Sequence, residues 1–239
     1  MMQENMKTEI IYEDREVLVI RKPAGLAVQS SAVGQIDVVS ELKGYLGKQN
    51  RAKEKGNSGS VYLGIIHRLD QPVDGLLVFA KNRKTAAELT RQLGQATLNK
   101  EYRALVCGKL PAPEGELVDY ILKDKGGTAR IVSGREKEFP EAKRAKLFYR
   151  ILEEKEAQGS WVSLLEIRIE TGRFHQIRCQ MSHAGYPLLG DRKYGNPASL
   201  EMSGQLGIAA VALCANRLKI IHPTLKKEFS WEVNPHFHL

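Results

Sequence analysis

The 239-residue sequence predicts an α+β fold around a large mixed, mostly antiparallel sheet. Two observations predict it. The stretches KRAKLFYRIL (143–152) and WVSLLEIRIE (161–170) alternate apolar and polar residues with the period of two of a half-buried strand, and together suggest an antiparallel pair. Helical periodicity is confined to a few short stretches set between such strands.

Taken in order, TEIIYEDREVLVIRKPAGL (8–26) predicts two short strands around Glu13–Asp14, stopped by Pro23 and Gly25. Residues 36–46 suit a helix, and the polar, Gly-rich residues 47–60 that follow are expected to form an exposed, mobile loop. GLLVFAK (75–81) is a buried strand. RKTAAELTRQLGQ (83–95) is a helix with Ala86, Leu89 and Leu93 on one face, and KEYRALVCGKL (100–110) returns as a strand. RFHQIRCQMSHAG (173–185) reads as helical, with Phe174, Ile177 and Met181 along one stripe and Gly185 as its stop. AAVALCANRLKII (209–221) and KEFSWEV (227–233) supply closing strands. There is no internal repeat, and residues 1–239 are expected to form one domain with room for two lobes.

With 42% hydrophobic and 27% charged residues, the composition is that of an ordinary globular protein. No apolar run reaches the roughly 18–20 residues needed to cross a bilayer, and the first residues lack the apolar core of a secretory signal, so a cytoplasmic protein is expected. Three scattered cysteines, Cys107, Cys179 and Cys214, argue against a disulfide framework. The formal net charge of +8 favours polyanion partners. Between Lys81 and Lys109 seven Lys or Arg face only Glu88 and Glu101, with Tyr102 among them. That is the pattern of a phosphate-tracking surface, or of a solvated face.

Four clusters could carry chemistry. His67-Arg68-Leu69-Asp70 interrupts two apolar runs; its Asp is either a turn former or a carboxylate held for reaction. In NKEYRALV, Tyr102 alternates with charge, as a core or interface tyrosine does. In the third cluster His175 and Arg178 are three apart beside the apolar stripe. A guanidinium meeting Asp70 would keep that carboxylate ionised and orient it through paired hydrogen bonds. His175, Cys179 and His183, at i, i+4 and i+8, also permit a metal reading, but no second pair with finger spacing accompanies them. The fourth cluster, YPLLGDRKYG (186–195), sets Arg192, Lys193 and Tyr194 between turn glycines, as a nucleic-acid contact or a plain surface loop.

In this order, the clusters resemble the RluA-like family of RNA pseudouridine synthases. The resemblance runs from IIYEDREVLVIRKPAGLAVQ through IIHRLDQPVDGLLVFAKN, KEYRALVCGKL and TGRFHQIRCQMSHAGYPLLGDRKYG to LCANRLKIIHPTLKKEFSWEV. It implies the pseudouridine synthase fold with a central RNA-binding cleft. It implies a monomeric enzyme that isomerises specific uridines in structured ribosomal or transfer RNA by flipping the base, without cofactor or metal. By the same resemblance Asp70 is the catalytic aspartate, and Arg68 enters the RNA when the target nucleotide leaves the stack. Tyr102 stacks on the base and helps remove its carbon-5 proton, and Arg178 rather than Arg173 pairs with the aspartate. His67, Arg173 and His175 support substrate binding.

Two departures stand out. Where the family often has Thr-Ser-Gly, this chain has Val73-Asp74-Gly75, which keeps the glycine but adds a carboxylate expected to act from behind the site. The match begins near residue 8, so the small RNA-binding domain of many relatives is expected to be missing. The competing readings are a catalytically silent RNA-binding protein and a metal-dependent hydrolase using His175, Cys179 and His183.

Overall fold

The computed structural model describes residues 6–30, 34–53, 61–132, 139–157 and 159–239. In chain order these form β1 (Glu9–Glu13), β2 (Val17–Lys22), α1 (Val38–Lys53), β3 (Gly64–Ile65), β4 (Asp74–Ala80), α2 (Arg83–Gly94) and β5 (Asn99–Cys107). Then come β6 (Glu114–Lys123), β7 (Ala129–Ile131), β8 (Lys143–Ala157), β9 (Ser160–Ile169), α3 (Gln176–His183), α4 (Pro197–Gln205), β10 (Leu213–Ile221) and β11 (Glu228–Glu232). The chain divides into two compact units, Met1–Asn99 with Ala215–Asn234, and Lys100–Cys214 with Pro235–Leu239.

In the first unit the strand order is β1-β2-β4-β10, with β3 on β4 and β11 on β10. Strand β4 is buried along its whole length, which is why its sequence is a continuous apolar run after Asp74 rather than an alternation. Helix α2 starts where the Asn82 side chain accepts the Thr85 N–H at 2.8 Å. Its expected face, Leu89 with Ala86 and Leu93, packs on Val17, Val19, Leu76, Val78, Leu218 and Ile220. Helix α1 runs to Lys53, so residues 47–53 of the expected loop are helical; residues 54–60 lie outside the described residues. Polarity there marks a solvated helical face, not a turn.

Gly75 lies within β4 with φ +130°, not in the turn before it. A Cβ there would come within 2.4 Å of Ala215 N and 2.5 Å of Ala215 O. The glycine is required by close backbone approach as well as by its dihedral.

In the second unit the order is β5-β9-β8-β6-β7. The expected antiparallel pair is present as β8 and β9, in register from Leu147–Ile169 to Ala157–Ser160 with one irregularity between Ile151 and Glu153. Every pairing described within the two units is antiparallel. Strands β6 and β7 and helix α4 have no counterpart in the sequence reading. The outward face of β6 carries Val118 and Tyr120, both more than a third exposed, which blurs the polar–apolar alternation. Helix α4 is short and held by an Asn196–Ser199 capping box, with Pro197 at its first position.

Helix α3 begins at Gln176, three residues later than its periodicity suggests. His175 is its N-cap in the left-handed region (φ 51°), and Phe174 before it is 37% exposed. The supposed stripe of Phe174, Ile177 and Met181 therefore holds only for its last two members, and His175 leaves the i, i+4, i+8 line of Cys179 and His183.

Candidate active site

Asp70 is half-buried at the start of a turn closed by Val73 N–H to Asp70 O at 3.0 Å. Around it His67 and Leu69 point into the core, while Arg68 is exposed. The alternation is that of a short extended segment, which hides two side chains and presents Arg68 to solvent. The next residue, Gln71, ties the turn to the segment after β2. Its carbonyl accepts Gly25 N–H at 2.8 Å and its side-chain amide donates to Gly25 O at 3.0 Å.

A second bond to that carbonyl comes from Lys22, whose ammonium lies 3.0 Å from Gln71 O, 2.9 Å from Pro23 O and 2.8 Å from Leu26 O. Lys22 is completely buried. Burial pushes its ammonium down to about 8, and the charges of Asp74 and Asp70 act against that fall. Sequence reading missed this residue; its one signal was a lysine inside the apolar run VLVIRKP. Asp74 is buried too and is gripped by Arg21, Nε to Oδ1 at 3.1 Å and Nη2 to Oδ2 at 2.8 Å.

The second unit holds Tyr102, Arg173, His175 and Arg178. Tyr102 sits on β5 opposite Ile167 of β9, on the buried face of that sheet, with 5% of its surface exposed. Arg178 projects from α3. Its Nε and Nη2 donate to Asp191 Oδ2 and Oδ1 at 2.7 and 2.8 Å, and its guanidinium lies 5.0 Å from the Tyr194 ring. Asp191 also accepts the N–H groups of Lys193 and Tyr194. Burial would raise its carboxyl, but the Arg178 guanidinium and these N–H groups outweigh that and hold it below the usual carboxylate range. The chain reaches Asp191 along β5, through Cys107 N–H to Pro187 O and Leu189 N–H to Leu105 O. The partner of Arg178 thus lies thirteen residues away, in the YPLLGDRKYG cluster.

His175 stacks on Phe174 with ring centroids 3.7 Å apart, and its Nδ1 lies 2.8 Å from the Tyr194 hydroxyl, which accepts Ala129 N–H. Lys123 caps Phe174 at 4.5 Å from its ring centroid. Arg173 donates to Arg144 O at 2.9 Å. The Cys179 thiol donates to Ala129 O, and burial pushes it up to about 11, so it is protonated near neutral pH. Among the described residues no group of three His, Cys, Asp or Glu side chains could hold a metal ion.

The basic stretch from Lys81 to Lys109 is divided between the two units, and several of its charges are engaged. Lys81 pairs with Glu13, Arg91 with Glu88 and Arg103 with Glu166, while Lys109 sits 4.1 Å from the Trp161 ring centroid. Arg83 and Lys84 remain exposed on α2.

The fold is that of pseudouridylate synthase domains. Human RNA Pseudouridylate Synthase Domain Containing 4 superposes with a TM-score of 0.71 at 23% identity, over 95% of this chain and 88% of that one. Human RNA Pseudouridylate Synthase Domain Containing 1 gives 0.71 at 22%, over 97% and 90%. Residues 16–183, which contain Asp70, Tyr102 and Arg178, match the RNA pseudouridylate synthase family, and the chain belongs to that family, in its RluA-like branch. It is 34% identical to ribosomal large subunit pseudouridine synthase D of Zymomonas mobilis, over 96% of this chain and 69% of that protein. With the uncharacterized RNA pseudouridine synthase YhcT of Bacillus subtilis it shares 33% identity, over 90% and 64%. The chain thus spans about two thirds of the length of these relatives.

Proposed function

We propose that this chain isomerises uridine to pseudouridine in ribosomal RNA, with Asp70 as the nucleophile. The observation that carries the reading is the setting of Asp70. It is the carboxylate of HRLD in a pseudouridine synthase fold, half-exposed on a turn pinned through Gln71 by Lys22 and Gly25. A nucleophile needs access and a rigid mount together. Ribosomal RNA is the favoured substrate because the relative of Zymomonas mobilis is named for the large ribosomal subunit; transfer RNA is the alternative.

The mechanism assigns roles residue by residue. The uracil–ribose carbon–nitrogen bond breaks, the base rotates, and a carbon–carbon bond forms, with the carbon-5 proton lost. Nothing is oxidised and no group is imported, so the isomerisation needs no cofactor. The target base must leave the stack, at a cost of a few kcal/mol. Arg68, exposed next to the turn, fills the vacated place. Tyr102 receives the base and its hydroxyl takes the carbon-5 proton. Arg178, held rigid by Asp191, is the cation paired with the reacting carboxylate. A guanidinium carries five N–H donors, of which the two to Asp191 are a part. His67, Arg173 and His175 shape the walls. The chain acts as a monomer in the cytoplasm, where ribosomal RNA is modified.

The test is Asp70→Asn assayed on pre-folded ribosomal RNA fragments for tritium release from carbon-5 of uridine. Loss of all turnover, with RNA binding within a few-fold of wild type, is the expected result. Turnover by this variant in protein free of wild-type contamination would remove Asp70 from its role.

A further inference from the structure

Arg173 and His175 are assigned to substrate binding, and Phe174 between them has no role in the mechanism. Its side chain is 37% exposed. A single exposed apolar residue is ordinary on a protein surface, but this one is held in place. His175 adopts the left-handed region at φ 51°, which residues with a Cβ use sparingly. Its ring lies on that of Phe174 with centroids 3.7 Å apart and planes at 21°. A ring fixed in this way has little freedom left to lose on meeting a partner.

The contacts behind the ring close on themselves. His175 Nδ1 lies 2.8 Å from the Tyr194 hydroxyl, which accepts Ala129 N–H at 2.8 Å. Ala129 is the register partner of Lys123 across the β6–β7 hairpin. The Lys123 ammonium in turn reaches over the Phe174 ring, 4.5 Å from its centroid. Lys193 fastens the hairpin turn, its ammonium 2.6 Å from Gly127 O. The turn's one carboxylate, Asp124, accepts Thr128 N–H at 2.7 Å, and Glu170, the nearest acid before Phe174 in the chain, pairs with Arg144. Lys123, Lys125 and Lys193 are exposed. An aromatic ring with cations around it, and with the nearby carboxylates already bonded, has the chemistry of a nucleotide contact.

We propose that Phe174 is a stacking post for an unpaired base of the RNA, from a nucleotide other than the target uridine, with Lys123 as the partner of its phosphate. The inference rests on the reading of RNA as substrate and is independent of the role of Asp70. Every base has a π-face, so the post accepts any base that has left its own stack. An exposed ammonium over a ring is a weaker contact than a stacked base. The arriving base therefore displaces Lys123 from the ring. The long lysine stem lets the charge swing to the phosphate that comes with the base, where it makes a charge-assisted hydrogen bond.

The experiment uses the full chain and a pre-folded ribosomal RNA stem-loop, with a fully paired RNA duplex of equal length as control. Phe174→Ala should weaken stem-loop binding about tenfold, and Phe174→Trp should keep it near wild type. Because Phe174→Ala also removes the ring beneath His175, a second measurement reads the contact itself. In Phe174→Trp, the emission beyond that of Trp161 and Trp231, taken by difference from wild type, should be quenched by the stem-loop and not by the duplex. Lys123→Gln should reduce the log–log salt slope of binding by about 0.7 to 0.9. Unchanged affinity in Phe174→Ala, or quenching that is absent or equal with the duplex, would overturn the stacking role. An unchanged slope in Lys123→Gln would overturn the phosphate role. A wild type that binds the stem-loop but converts no uridine would overturn the reading of Asp70, and the quenching would still decide this inference.

Discussion

Nε and Nη2 of Arg178 grip the two oxygens of Asp191 at 2.7 and 2.8 Å, where the two side chains are 4% and 0% exposed. Such a fork fixes the guanidinium plane and leaves it no rotamer to choose. Asp191→Asn would leave a buried cation without its counter-charge, at about 3–5 kcal/mol of stability. Urea denaturation at pH 7 measures it, and a loss below about 1 kcal/mol would mean that other groups carry the pair.

The same pair sets a pH dependence. Asp191 is held below the ordinary carboxylate range, so the folded state binds its proton less readily than the unfolded chain does. Its contribution is full above about pH 4, the unfolded value, and is lost as pH falls through the lower folded value. The stability gap between wild type and Asp191→Asn should be constant from pH 6 to 7.5 and narrow in acid. A gap that widened in acid would contradict the assignment.

Gly75→Ala tests the close approach of β4 and β10. The new methyl would sit 2.4 Å from Ala215 N, on a backbone at φ +130°. Overpacking of this kind costs about 3 kcal/mol. Chemical denaturation at unchanged m-value reads it, and a loss under about 0.5 kcal/mol would show that the strands yield at little cost.

Tyr102→Phe separates two jobs. The ring is retained, so a role confined to stacking would leave most activity in place. If the hydroxyl takes the carbon-5 proton, hydrogen release should slow by about a hundredfold or more while uridine consumption persists in a single turnover. Release at the wild-type rate would remove the proton role and leave the stacking one.

Chelation should not change turnover on pre-folded RNA in monovalent salt. The observation behind this is chemical: His175 stands outside helix α3, and the Cys179 thiol is protonated and bonded to Ala129 O. Activity that disappears with a chelator and returns with zinc would support the metal-dependent hydrolase instead.

Much of the fold was legible in the chain because strand alternation and helix caps are local. The β8–β9 pair, the α2 face and the stop after β2 all followed from periods of two or 3.6 and from Pro23 and Gly25. Helix α1 was cut short because a solvated helical face and a loop share a composition. The start of α3 was misjudged because Phe174 and His175 fit a helical period, yet the chain turns left-handed at His175, where ring stacking and the Tyr194 hydroxyl hold it.

By itself, the sequence determined the α+β class, the order of most strands, and the candidates Asp70, Tyr102 and Arg178, since these depend on local pattern and on motif order along the chain. Only the tertiary structure decided which charges meet. Arg178 with Asp191, Arg21 with Asp74, and Lys22 with the carbonyls of Pro23, Leu26 and Gln71 join groups from one to 53 residues apart. Ion pairs carry no period, and a buried lysine is written like an exposed one. Their partners are chosen by strand register and by the lack of water, which exist only once the chain has folded.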